Sequence, residues 1–140
     1  MPAEALGIIS RGMSESEAVS VYELVGGLEP FQRLVDAFYA AVETDPVLRP
    51  LYPPSLEEPK EHLALFLAQF FGGPDLYSQK RGHPRLRARH LPFRIGRAER
   101  DAWVRHMLAA LDESGIQEPA YTHMRNYFQE AATFLINQLE

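Results

Sequence analysis

Gly82-His83-Pro84-Arg85-Leu86-Arg87-Ala88-Arg89-His90-Leu91-Pro92 is the most informative stretch of this 140-residue chain. Pro84 and Pro92 leave room for only one or two helical turns between them, because each proline removes an amide and restrains its predecessor. The stretch is also strongly basic. From Lys80 to Arg100 the chain places Lys80, Arg81, Arg85, Arg87, Arg89, Arg94, Arg97 and Arg100, against the single acid Glu99. That window stands at +7, in a chain of net charge −5 whose remaining residues stand at −12. Such a concentration attracts an anion even on an acidic protein. A solvated loop and helix face would carry the same charges, and charge does not separate the two readings.

Outward from this segment the pattern is helical on both sides. Pro30 suits a helix start, and Phe31, Leu34, Val35, Phe38, Tyr39 and Val42 step by three and four, so one face is buried. Leu63, Phe66, Leu67, Phe70 and Phe71 repeat the pattern and end at Gly72-Gly73-Pro74. Trp103, Met107, Leu108 and Leu111 mark a helix after Gly96. Met124, Tyr127, Phe128, Ala131, Leu135 and Leu139 mark the last one after Pro119. Ser20 with Glu23, and Ser55 with Glu58, have the spacing of capping boxes. Sustained alternation is absent, so the expected class is all-α, with four substantial helices and several short ones. Residues 1–19 lack periodicity and read as a flexible extension before a domain at 20–140.

Composition narrows the chemistry. With 46% hydrophobic and 24% charged residues the chain is an ordinary globular domain. It has no cysteine, which excludes disulfides, thiolate metal sites and cysteine nucleophiles. The net negative charge argues against a general nucleic-acid binder. Apolar runs fall far short of the roughly 18 residues of a membrane span. Met1-Pro2-Ala3-Glu4 lacks a secretory start, so a cytoplasmic protein is expected. Serine-nucleophile elbows, phosphate loops and paired zinc histidines are absent.

Five histidines remain. His62, His106 and His123 adjoin apolar stripe positions and are expected to point outward. His90 differs, because it ends the short basic element. One histidine cannot hold structural zinc, which takes four ligands. It can hold haem iron, because the porphyrin supplies four more. The haem propionates would suit nearby arginines, and an apolar slot would suit the macrocycle. Tyr39, Trp103 and Tyr127 carry polar groups within apolar stripes, and such groups need partners when buried. A backbone carbonyl or a bound ligand would serve.

At this point the sequence resembles a known family, the group II truncated haemoglobins. The resemblance runs from about Ser20 to the C-terminus. It is carried by Phe38-Tyr39-Ala40, Val47-Leu48-Arg49-Pro50-Leu51-Tyr52-Pro53 and Phe70-Phe71-Gly72-Gly73-Pro74. It continues in Tyr77-Ser78, Arg81 to His90, Pro92-Phe93-Arg94-Ile95 and Arg100-Asp101-Ala102-Trp103. It implies a two-over-two helical sandwich, a shortened globin fold, around one haem b (iron protoporphyrin IX). It makes His90 the proximal iron ligand and maps the ligand-binding residues onto Tyr39, Tyr52 and Trp103. Leu63 then faces the distal pocket and Phe66 packs near the haem. Phe93, Ile95 and Met107 are expected apolar contacts, and Arg87, Arg89, Tyr77 and His83 are candidates for the propionates. The position of a common distal histidine falls at Pro59, which has no side-chain donor.

Binding of oxygen, carbon monoxide, nitric oxide or small anions is the primary expectation. Two hydrogen bonds to the ligand would slow its release on the order of a hundredfold, at 0.5–1.5 kcal/mol each. The alternative is a redox enzyme using the same site, for nitric oxide dioxygenation or peroxidase-like turnover, fed by an external reductase. The expected assembly is a monomer or homodimer. A third reading is a helical interaction module without haem, whose arginine cluster docks an acidic partner.

Overall fold

A computed structural model describes residues 19–138. The extension expected at 1–19 therefore lies outside the described residues except for Val19, as does Leu139 at the other end. The helices are α1 (Val21–Val25), α2 (Leu28–Val42), α3 (Glu57–Phe70), α4 (Leu76–Arg81), α5 (Leu86–His90), α6 (Arg97–Glu113) and α7 (Ala120–Phe134). A 3₁₀ turn spans Arg49–Leu51, and no strand occurs among the described residues. α2, α3, α6 and α7 are the four long helices. α2 packs on both α3 and α6, and α6 packs on α7, which builds the two-over-two arrangement.

The core is where the three-four spacing put it. Phe31, Leu34, Val35, Phe38 and Val42 of α2 are fully buried, as are Met107 and Leu111 of α6 and Met124 and Phe128 of α7. Aromatic contacts tie the layers together: Phe31 stacks on Phe71, and Phe71 meets Phe128 edge-on. Gly73 is fixed by space. A Cβ there would lie 2.6 Å from the Tyr22 ring and 2.8 Å from the Ala68 carbonyl oxygen, so the turn after α3 can press against α1 only with glycine.

Helix starts agree in part with the sequence reading. Ser20 Oγ accepts a hydrogen bond from the Glu23 amide at 3.1 Å and caps α1. Glu99 Oε1 accepts one from the Gly96 amide at 2.7 Å at the start of α6. The Ser55–Glu58 box does not form. α3 begins one residue later, after Leu56, and Ser55 Oγ meets the Glu57 amide instead. That shift places Pro59 third in the helix, in the first turn, where its missing amide costs no intrahelical bond.

Candidate functional site

A cavity of about 650 Å³ lies between α3, α5, α6 and α7, closed on one side by the end of α2 and the 3₁₀ turn. This lies within the usual range for small-molecule pockets, about 300–1,000 Å³. Tyr39, Tyr52, Leu63, Phe66, Tyr77, Arg89, His90, Phe93, Ile95 and Trp103, all singled out in the sequence, line it. So does Pro59. Three other candidates are placed elsewhere. Met107 is fully buried in the core, about one helical turn beyond Trp103 along α6, past the end of the cavity. Arg87 turns away, with its guanidinium 5.6 Å from the centre of the Phe134 ring. His83 is exposed, and its Nδ1 accepts the Arg85 amide at 3.2 Å.

His90 sits at the C-terminal end of α5. Its Nδ1 lies 2.6 Å from the Leu86 carbonyl oxygen, one turn back, which fixes Nδ1 as the donor and leaves Nε2 available. α5 buries none of its own residues, so it is held by polar ties. Arg89 donates through Nε to the Pro84 carbonyl at 2.8 Å and through Nη2 to the Arg81 carbonyl at 2.8 Å. It thus braces the loop before α5. Asn137 donates to the Phe93 carbonyl at 2.8 Å and accepts the Ile95 amide at 2.9 Å. The chain just after α7 thereby clamps the segment following His90.

The cavity also has an aromatic wall. Tyr39 from α2, Tyr52 from the segment after the 3₁₀ turn and Trp103 from α6 meet there. The Tyr39 and Tyr52 rings are 5.4 Å apart and nearly perpendicular. The Tyr39 hydroxyl and the Trp103 indole lie beside the Tyr52 oxygen and act on it as donors, each favouring its ionised form. A phenol that accepts twice keeps its own proton for a third partner. Burial pushes Tyr52 up to about 12, against the two hydrogen bonds that lower it. Burial also drives Tyr39 well above the ordinary tyrosine value, helped by the neighbouring Tyr52. Both hydroxyls therefore stay protonated at neutral pH.

Two devices hold Tyr52 in place. Asp45 Oδ1 caps the turn by accepting the Val47 and Leu48 amides at 2.7 and 3.1 Å, while Oδ2 lies 2.6 Å from His106 Nε2. That bond, with the backbone amides, keeps the Asp45 carboxyl below its ordinary value despite burial. Arg49 then donates to the carbonyls of Tyr52, Pro53 and Pro54 at 3.3, 2.9 and 2.8 Å.

Sequence reasoning missed several cavity residues. His62 was expected outside but is half-buried and lines the cavity, because the inward face of α3 is wider than its apolar stripe. Burial, with the Arg81 cation adding to it, holds His62 below the ordinary histidine value, so it is neutral at pH 7. His106 was also expected outside and instead meets Asp45; His123 is half-buried. Arg81, Arg100 and Leu135 are also among the lining residues, as is Tyr127, whose buried hydroxyl the sequence had marked as needing a partner. The only signal for Arg81 and Arg100 was the basic window itself.

The model of the bacterial-like globin family matches residues 20–137. The chain is 40% identical over 119 residues to the group 2 truncated hemoglobin YjbI of Bacillus subtilis, covering 85% of this chain and 89% of that protein. The hemoglobin of Chloroflexus aurantiacus superposes with a TM-score of 0.84 at 58% identity, covering 86% of this chain and 99% of the other. The group II truncated hemoglobin of Bacillus anthracis superposes with a TM-score of 0.83 at 35% identity, covering 87% and 94%. No helix among the described residues is long and apolar enough to cross a membrane. With its all-helical fold and a family match over most of its length, the chain belongs to the bacterial-like globins, resembles their group II truncated haemoglobins, and is a haem globin.

Proposed function

We propose that the cavity would hold one haem b, with His90 Nε2 as the nitrogen that would bind its iron, and that the protein binds small diatomic gases on the Tyr52 side. The observation that carries this reading is the His90 ring, oriented by Leu86 and lining a largely apolar cavity large enough for a cofactor. The donor set fits the group: one imidazole nitrogen, apolar walls from Leu63, Phe66, Phe93 and Ile95, and the guanidinium groups of Arg81 and Arg100 for two carboxylates. When bound, haem supplies an iron with one position open to a gas.

The chain's own groups set what happens at that position. Tyr52 directs its remaining proton toward the ligand, and Tyr39 and Trp103 hold the Tyr52 oxygen. Tyr39 and Trp103 therefore act largely through Tyr52, while Leu63 keeps the space dry. Slow release follows from a donor that is already oriented. The redox alternative shares the cavity and needs an electron source from outside the chain.

An absorption spectrum of the purified protein tests the reading. A sharp haem band that shifts on adding carbon monoxide to the reduced protein is expected. Colourless protein after expression with haem supplied would overturn it.

A further inference from the structure

The haem-site reading leaves one surface unexplained. Leu91 and Phe134 are 58% and 55% exposed, large apolar side chains that do not line the cavity. Phe93, 44% exposed, belongs to both the surface and the cavity wall. Arg87 spreads over the Phe134 ring, Asn137, three residues on, bonds the Phe93 carbonyl, and Leu91 lies two residues before Phe93 in the chain. Arg85, Arg87 and Arg94 are close to Leu91 and Phe93 in the chain. They make no ion pair among the described residues.

An apolar centre with a cationic rim has the anatomy of a docking site for a protein of opposite charge. A second copy of this chain is disfavoured, because a symmetric contact would set the +7 window against itself. The position suggests what the partner does. Leu91 follows His90 in the chain, and Phe93 spans from solvent to cavity, so this is the thin wall of the site.

We propose that the Leu91, Phe93 and Phe134 surface, rimmed by Arg85, Arg87 and Arg94, docks an acidic protein that donates single electrons. The proposal rests on the haem reading. The donor loses one electron and the iron gains it, passing from ferric to ferrous, with no proton or group transferred between the proteins.

Flavodoxin, an acidic one-electron flavoprotein, is the probe. In the first arm, oxidised flavodoxin is titrated into the purified protein and backbone amide shifts are followed. Shifts are expected at residues 85–97 and 133–137, and they should vanish in 0.5 M salt, where charges are screened. In the second arm, reduced flavodoxin is mixed with the ferric protein and the ferrous product is trapped with carbon monoxide. The double variant Arg87→Glu/Arg94→Glu should slow reduction at least about tenfold at low salt. Its haem content and its reduction by dithionite should match wild type. Arg33→Glu/Arg125→Glu, with the same change in net charge elsewhere, should stay within about twofold of wild type.

Equal slowing in both double variants would overturn the proposal, since overall charge would then explain the rates. So would shifts on another face, or an unchanged rate in Arg87→Glu/Arg94→Glu. If that variant lost binding to phosphatidylglycerol vesicles while reduction by flavodoxin was unaffected, the surface would be a lipid site and the proposal wrong. Failure of the haem reading is distinguishable, because it shows as a missing haem spectrum.

Discussion

The two sides of the cavity are built by opposite means. The His90 side is a five-residue helix that buries none of its residues and is held by main-chain carbonyls, Arg89 and Asn137. The Tyr39–Tyr52–Trp103 side grows out of the core. Tyr39 is 4% exposed, and Phe38 and Phe128 pack against Trp103 at ring separations of 5.3 and 6.0 Å. Core packing fixes a donor to a fraction of an ångström, whereas a surface helix tied by hydrogen bonds opens locally at low cost. On the reading proposed above, the aromatic wall would set ligand release and the tied helix cofactor retention.

That contrast can be broken from either side. The largest effect short of removing His90 is expected from Tyr52→Phe, which deletes the central acceptor and the free proton together. Oxygen dissociation, followed by stopped flow, should accelerate roughly ten- to a hundredfold, as the loss of one hydrogen bond of about 1.5–3 kcal/mol to a partly charged ligand predicts. Trp103→Phe should accelerate it less, roughly three- to tenfold, because it removes one bond to Tyr52. If Trp103→Phe exceeded Tyr52→Phe, the indole would contact the ligand directly and the relay through Tyr52 would be wrong.

On the other side, Asn137→Ala should speed haem transfer to an apoprotein acceptor several-fold while leaving oxygen dissociation within about twofold. A change in oxygen release as large as the change in haem loss would erase the distinction between the walls.

The smallest effect concerns the frame of Tyr52. Asp45→Asn should cost about 1–3 kcal/mol of stability at pH 7 by denaturant unfolding, the loss expected for a buried charged hydrogen-bonding group. The folded protein holds the Asp45 carboxyl below its ordinary value of 3.8, so its contribution is present above that pH. It is lost as pH falls through the lower folded value. Wild type and variant should therefore converge in acid; a constant difference down to pH 2 would rule out the ionised carboxylate as the cause.

Much of this architecture was legible in the residues. The four long helices followed from three-four spacing, and α5 was bounded in advance by Pro84 and Pro92. Facing was harder to read. Arg87 and Arg89 were both assigned to the cofactor, yet residues two apart on a helix point to different sides. Arg89 lines the cavity and Arg87 covers Phe134. Met107 shares the general face of Trp103 but lies too far along α6. His62 and His106 read as outward because polar residues flanking a stripe usually are. Each is drawn inward by something distant in sequence, the cavity for His62 and Asp45 for His106. The Asn137 clamp joins residues 42 apart in sequence and left no local trace.

Resonance Raman spectra of the ferrous protein test the central claim most directly, by reading the iron–imidazole stretch of His90. Wild type should show that band, and His90→Gly should lose it and most of its haem. Imidazole added to His90→Gly should restore both. A band that persists in His90→Gly without imidazole would show that another residue holds the iron, and the assignment of the two walls would be reversed or lost.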